Sequence, residues 1–101
     1  MTLTEVKDRL MTTGLPVAYN AFQSEQALPF IVYQNPGEDQ FGADGKVYYS
    51  AHEIRIELYT ELRDTASEAL IENAFSDVFF EKSTIYIDTE KCYETIYELE
   101  V

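Results

Sequence analysis

The chain has no tryptophan, one cysteine, one histidine, four glycines and three prolines in 101 residues. With Cys92 alone, no internal disulfide can form, which points to a reducing compartment. The single His52 stands at a strand start with no nucleophile near it in sequence, so it reads as structural and not as a general base. No serine sits in a Gly-x-Ser-x-Gly elbow. Gly42 and Gly45 are too few and wrongly placed to cradle a phosphate. Basic residues are also scarce, 7 against 19 acids for a net charge of −12, which argues against binding nucleic acid through phosphate neutralisation and against anionic membranes. No run is long enough to span a bilayer, and Met1–Asp8 carries acids where a secretion signal would be apolar.

What is present is the composition of a folded protein, 46% apolar and 14% aromatic, with tyrosine the commonest ring. The length fits a single domain, residues 1–101, with a thin core: a chain this size buries about two-thirds of its unfolded surface.

The pattern starts with a capping box, Thr2-Leu3-Thr4-Glu5, and a staple of Met1 on Val6. Leu3, Val6 and Leu10 give one apolar face, Glu5 is placed to pair with Arg9, and Gly14 with Pro16 stops a helix over about Leu3–Thr12. Val17–Tyr19 is a short strand. Leu28–Tyr33 is a strand apolar on both faces, with Pro29 at its first position, where no ladder donor is needed. Asn35–Gly45 is turn chemistry throughout; a loop of about a dozen residues in a small domain is usually functional or mobile, and Phe41 stands out in it.

Val47–Thr60 is the longest strand, with Ile54, Ile56 and Leu58 inward and Glu53, Arg55, Glu57 and Tyr59 outward. Thr65 with Glu68 opens a second helix whose stripe is Leu70, Ile71, Ala74, Phe75 and Val78. Ser83–Asp88 follows as a strand with Ile85 and Ile87 inward, and Thr89–Lys91 turns the chain. In the last strand Tyr93, Thr95, Tyr97, Leu99 and Val101 share one face, and Glu94, Ile96, Glu98 and Glu100 the other. The order α-β-β-β-α-β-β predicts an α+β fold: a mostly antiparallel sheet of about five strands with two helices on one face. Strand order does not follow from the pattern.

Few residues invite chemistry. Lys91 beside Cys92 favours the thiolate slightly, but without a Cys/His context the thiol reads as inert and partly buried. Glu38, Asp39 and Asp44 share a loop, at spacings that do not fit a calcium loop. Neither a metal nor a cofactor is expected. The outward carboxylates are the clearest feature: Glu53 and Glu57 form one row and Glu94, Glu98 and Glu100 another, at a same-face repeat of about 6.7 Å. If the two strands pair, Arg55 is the only cation on that face, and Ile96 among the acids hints at cover by another subunit.

Leu28-Pro29-Phe30-Ile31-Val32-Tyr33, the Ala43-Asp44-Gly45 loop, Ile56-Glu57-Leu58-Tyr59-Thr60 with Arg63-Asp64 and Glu68, Tyr86-Ile87-Asp88, and Tyr93-Glu94 with Tyr97-Glu98-Leu99-Glu100 together carry a resemblance over most of the chain. It resembles the tail terminator, or tail-completion, proteins of long-tailed siphophages. The resemblance implies a non-enzymatic phage or prophage virion protein that oligomerises as a ring, commonly a hexamer. Such a ring caps the tail tube and joins it to the head-connector proteins. Assembly would take place in the host cytoplasm, and the finished ring would sit in the virion at the head–tail junction. On that reading Glu38, Asp39, Phe41, Asp44 and Ile96 make contacts, and Glu53, Glu57, Glu98 and Glu100 form a DNA-repelling surface. The same carboxylate rows also suit an acidic DNA mimic that inhibits a nucleic-acid enzyme, competing with DNA in a salt-dependent way. A small enzyme built on a carboxylate pair would need an acid with a raised pKa in an apolar setting.

Overall fold

The computed structural model describes residues 1–36 and 53–100. It shows an α+β fold: helices α1 (Leu3–Met11) and α2 (Thr65–Ala74), and strands β1 (Val17–Tyr19), β2 (Phe30–Gln34), β3 (Glu53–Thr60), β4 (Phe80–Ile87) and β5 (Cys92–Glu100). The strands form one sheet in the order β1-β2-β3-β5-β4, parallel between β1 and β2 and antiparallel elsewhere. The start expected for the long strand, Val47–His52, and the loop residues Gly37–Gly45 lie outside the described residues, as does Val101.

The core lies between the helices and one face of the sheet. Val6 and Leu10 of α1 and Ile71 and Phe75 of α2 pack with Ile31, Tyr33, Ile54, Ile56, Leu58, Tyr97 and Leu99. The period-two pattern of β3 thus sends Ile54, Ile56 and Leu58 inward as expected.

The capping box of α1 forms in both directions: the Glu5 amide donates to Thr2 Oγ1 and the Thr2 amide to Glu5 Oε1, each at 3.1 Å. Those Thr2 bonds hold the Glu5 carboxyl below its usual range. Gly14 takes φ +80°, a left-handed turn that ends α1. Arg9 is not spent on Glu5. It forks onto Asp77 at 2.6 and 3.1 Å and also donates to the Ala74 carbonyl, clasping α1 to the end of α2.

Three local expectations need correction. Asp64, not Thr65, caps α2, accepting from the Ser67 amide at 2.9 Å and the Ser67 hydroxyl at 2.8 Å. Glu68 is thereby released to turn inward. Leu70 is exposed, because the buried face of α2 runs through Ser67, Glu68, Ile71 and Phe75, about one residue round from the expected stripe. β4 begins at Phe80, and its register pairs Phe80 with Leu99 and Lys82 with Tyr97. That parity sends Ile85 and Ile87 to the other face, Ile87 opposite Cys92 and Ile85 opposite Glu94, where it is half exposed.

Candidate interaction surface

The face of the sheet away from the helices is assembled by register. β3 and β5 pair as Glu53↔Glu100, Arg55↔Glu98, Glu57↔Ile96 and Tyr59↔Glu94, and β4 adds Glu81 beside Glu98 and Ile85 beside Glu94. The two carboxylate rows read from the sequence are therefore adjacent. They split into halves with different environments.

At one end Glu53, Glu81, Glu98 and Glu100 are exposed around a recess of about 250 Å³, with Pro36 and Phe79 also on its lining. Phe79 is 78% exposed. Like charges opposite one another on a sheet cost a few tenths to about 1 kcal/mol each, and here solvent screens them. Arg55 stands between the halves.

At the other end Glu57 and Glu94 are only 8% and 7% exposed. The segment between β1 and β2, residues 20–29, returns the chain so that those strands can run parallel. It leaves β1 at Asn20, which takes φ +66° and donates to the Tyr33 carbonyl at 2.9 Å. With the sheet it encloses a groove of about 490 Å³ lined by Phe22, Leu28, Phe30, Val32, Glu57 and Tyr59, among others. Rings connect this strap to the sheet: Phe22 meets Phe30 edge-on at 5.4 Å, and Phe30 stacks on Tyr59 at 5.0 Å. The Tyr59 hydroxyl lies 3.1 Å from Glu57 Oε1 and 2.9 Å from Glu94 Oε2. Burial and the nearby Glu94 charge push the Glu57 carboxyl up, and burial beside the two carboxyls pushes the Tyr59 phenol up.

The last feature is the edge. β4 spans eight residues, and its ladder partner among the described residues is β5. Phe79, Ile85 and Tyr86 are exposed along it. Glu81 and Lys82 are its two charges, so this strand is neutral on a strongly acidic protein. Exposed edges of this length are templates for strand pairing.

Of the expected contact residues, Glu38, Asp39, Phe41 and Asp44 lie outside the described residues, as does His52. Ile96 is buried within a single chain, between Glu57 of β3 and Ser83 of β4, so no second subunit is needed to cover it. Glu53, Glu98 and Glu100 are exposed as expected, whereas Glu57 is withdrawn into the groove wall. Cys92 is buried, and burial with Glu90 and Glu94 nearby pushes its thiol up, away from the reactive thiolate; Lys91 pairs with Asp88 instead. Among the described residues no group of three or more His, Cys, Asp or Glu is arranged to hold a metal, and no helix is long and apolar enough to cross a membrane.

Sequence reasoning did not find Lys82 or the Glu57–Glu94 contact. Both depend on register, although Tyr59 two residues after Glu57 places a hydroxyl on the same face and is a signal of sorts. No family model matches the chain, and no curated protein or solved structure proved similar to it.

Proposed function

We propose that this chain is a non-enzymatic structural subunit of a long-tailed phage or prophage, a tail terminator that forms a ring on the head-proximal end of the tail tube and joins it to the head. The observation that carries the reading is the β4 edge: a neutral, eight-residue strand with Ile85 and Tyr86 exposed and the exposed Phe79 just before it, on a chain of net charge −12. Such an edge offers backbone and ring contacts to a neighbouring building block without the repulsion the rest of the surface would impose. The exposed Glu53, Glu81, Glu98 and Glu100 supply a face along which DNA would slide and not adhere.

The direct test adds purified protein to tail tubes of the encoding phage that lack their terminal ring, followed by electron microscopy. Capped tubes of fixed length are expected, with capping lost in Ile85→Lys. Tips that stay bare, or tubes that keep lengthening, overturn the proposal.

The same four exposed carboxylates favour a second reading, a DNA mimic that occupies a nucleic-acid-binding enzyme. Competition with DNA that weakens with added salt, and no binding to tubes, would select it.

A further inference from the structure

The Tyr59 hydroxyl has one proton to donate, yet it lies within hydrogen-bond distance of two carboxyls, Glu57 at 3.1 Å and Glu94 at 2.9 Å. If both carboxyls were ionised, one of these contacts would set a lone pair against a lone pair in a buried site. The nearest cation does not resolve this. Arg55 Nε is 3.1 Å from Glu57 Oε2, but its N–H is aimed past that oxygen and meets no acceptor. A second proton on one carboxyl satisfies every contact.

We propose that Glu57, Tyr59 and Glu94 form a protonic latch: one carboxyl proton shared by the pair keeps Tyr59 in place and, through the Tyr59–Phe30–Phe22 ring ladder, holds the strap of residues 20–29 against the sheet. The proton belongs to the pair and not to either residue. Among the described residues the other groups facing the site are Arg55 on β3, Glu25 on the strap, Glu90 just before β5 and Cys92 at its start. β2 offers Phe30 and Val32, and β4 offers Ile85 and Ser83, none of which titrates near neutrality.

The direction of the pH effect follows. The Glu57 carboxyl is raised in the folded chain above its ordinary 4.5. Its contribution to stability is therefore fully present below about pH 4.5 and is lost as pH rises through the raised value. While the pair titrates, the folded-to-unfolded ratio should fall by up to about tenfold per pH unit. Loss of the proton puts two adjacent charges in the groove wall, loosens Tyr59 and releases the strap, baring Phe30 and Val32.

The test is carboxyl-carbon NMR of the wild-type chain across pH, read with the ring resonances of Phe22 and Phe30. The expected result is one midpoint of the Glu57–Glu94 pair displaced upward, with the Phe22 signals moving at the same midpoint. In Glu57→Gln, whose amide supplies the missing donor, the raised midpoint and the Phe22 shift should both vanish. Two ordinary, independent glutamate titrations in the wild type would overturn the latch. A raised midpoint that leaves Phe22 unmoved overturns it equally, because the strap is then not coupled to the proton.

Discussion

Both faces of the sheet bury glutamates, and they neutralise them by opposite means. On the helix side Glu68, 3% exposed, receives Lys82 at 2.8 Å and Arg63 at 3.3 Å, and Lys82 also reaches Glu72 at 2.7 Å. The Tyr97 hydroxyl donates to Glu72 at 2.8 Å and lies 3.4 Å from the Glu68 carbonyl, closing a network across α2, β4 and β5. Here the cation is well placed: bonding to Lys82 holds the Glu72 carboxyl below its usual range, and the two glutamates raise Lys82. On the strap side the cation is misaimed, and burial beside the Glu94 charge moves Glu57 up. A buried carboxylate thus needs either an aligned counter-ion or a proton, and this small domain uses one solution on each face.

The contrast predicts failure at opposite ends of the pH scale. Glu72, depressed from 4.5, contributes stability above that value and loses it as pH falls through its folded value, whereas Glu57 loses its share as pH rises. The largest effect is expected from Lys82→Met, which strands Glu68. Removing one partner of a fully buried pair costs ~3–5 kcal/mol, and because Lys82 is partly exposed and Arg63 remains, about 2–3 kcal/mol is expected by urea denaturation. The variant should also lose part of the acid limb of the stability curve; an unchanged limb would break the comparison. Tyr59→Phe comes next, at about 1–2 kcal/mol, since it removes the hydroxyl shared by two buried carboxyls. Its deficit should narrow as pH rises, because loss of the shared proton already loosens Tyr59 in the wild type, and a deficit independent of pH would assign Tyr59 to packing alone. Asp64→Ala is the smallest, ~1 kcal/mol for a lost helix cap. Bonding to Ser67 depresses the Asp64 carboxyl below 3.8, so this cost should shrink only under acid conditions. It serves as the control that belongs to neither face.

How much of this was legible depended on distance along the chain. The Thr2–Glu5 box and the inward Ile54, Ile56 and Leu58 follow from local chemistry and a two-residue period, and both appear as read. Thr65 and Asp64 are both acceptable helix caps locally, Thr65 with Glu68 at the reciprocal position; the choice falls to Lys82, which draws Glu68 inward from another element. Ile85 was misassigned because strand parity is set by the ladder with β5, and no residue inside β4 fixes it. The carboxylate rows were visible, but their division into an exposed half and a buried half was not, since it arises from the strap passing over Glu57.

The Arg9–Asp77 clasp has a bearing on biosynthesis. Its two ends are separated by 68 positions, and at about 5–20 residues per second the ribosome needs roughly 3–14 s to deliver the second after the first. Through that interval α1 is too short to hold its own helix, and Val6 and Leu10 have no core to enter. Docking of α1 therefore waits on the synthesis of α2, and until then Val6 and Leu10 stay turned toward water.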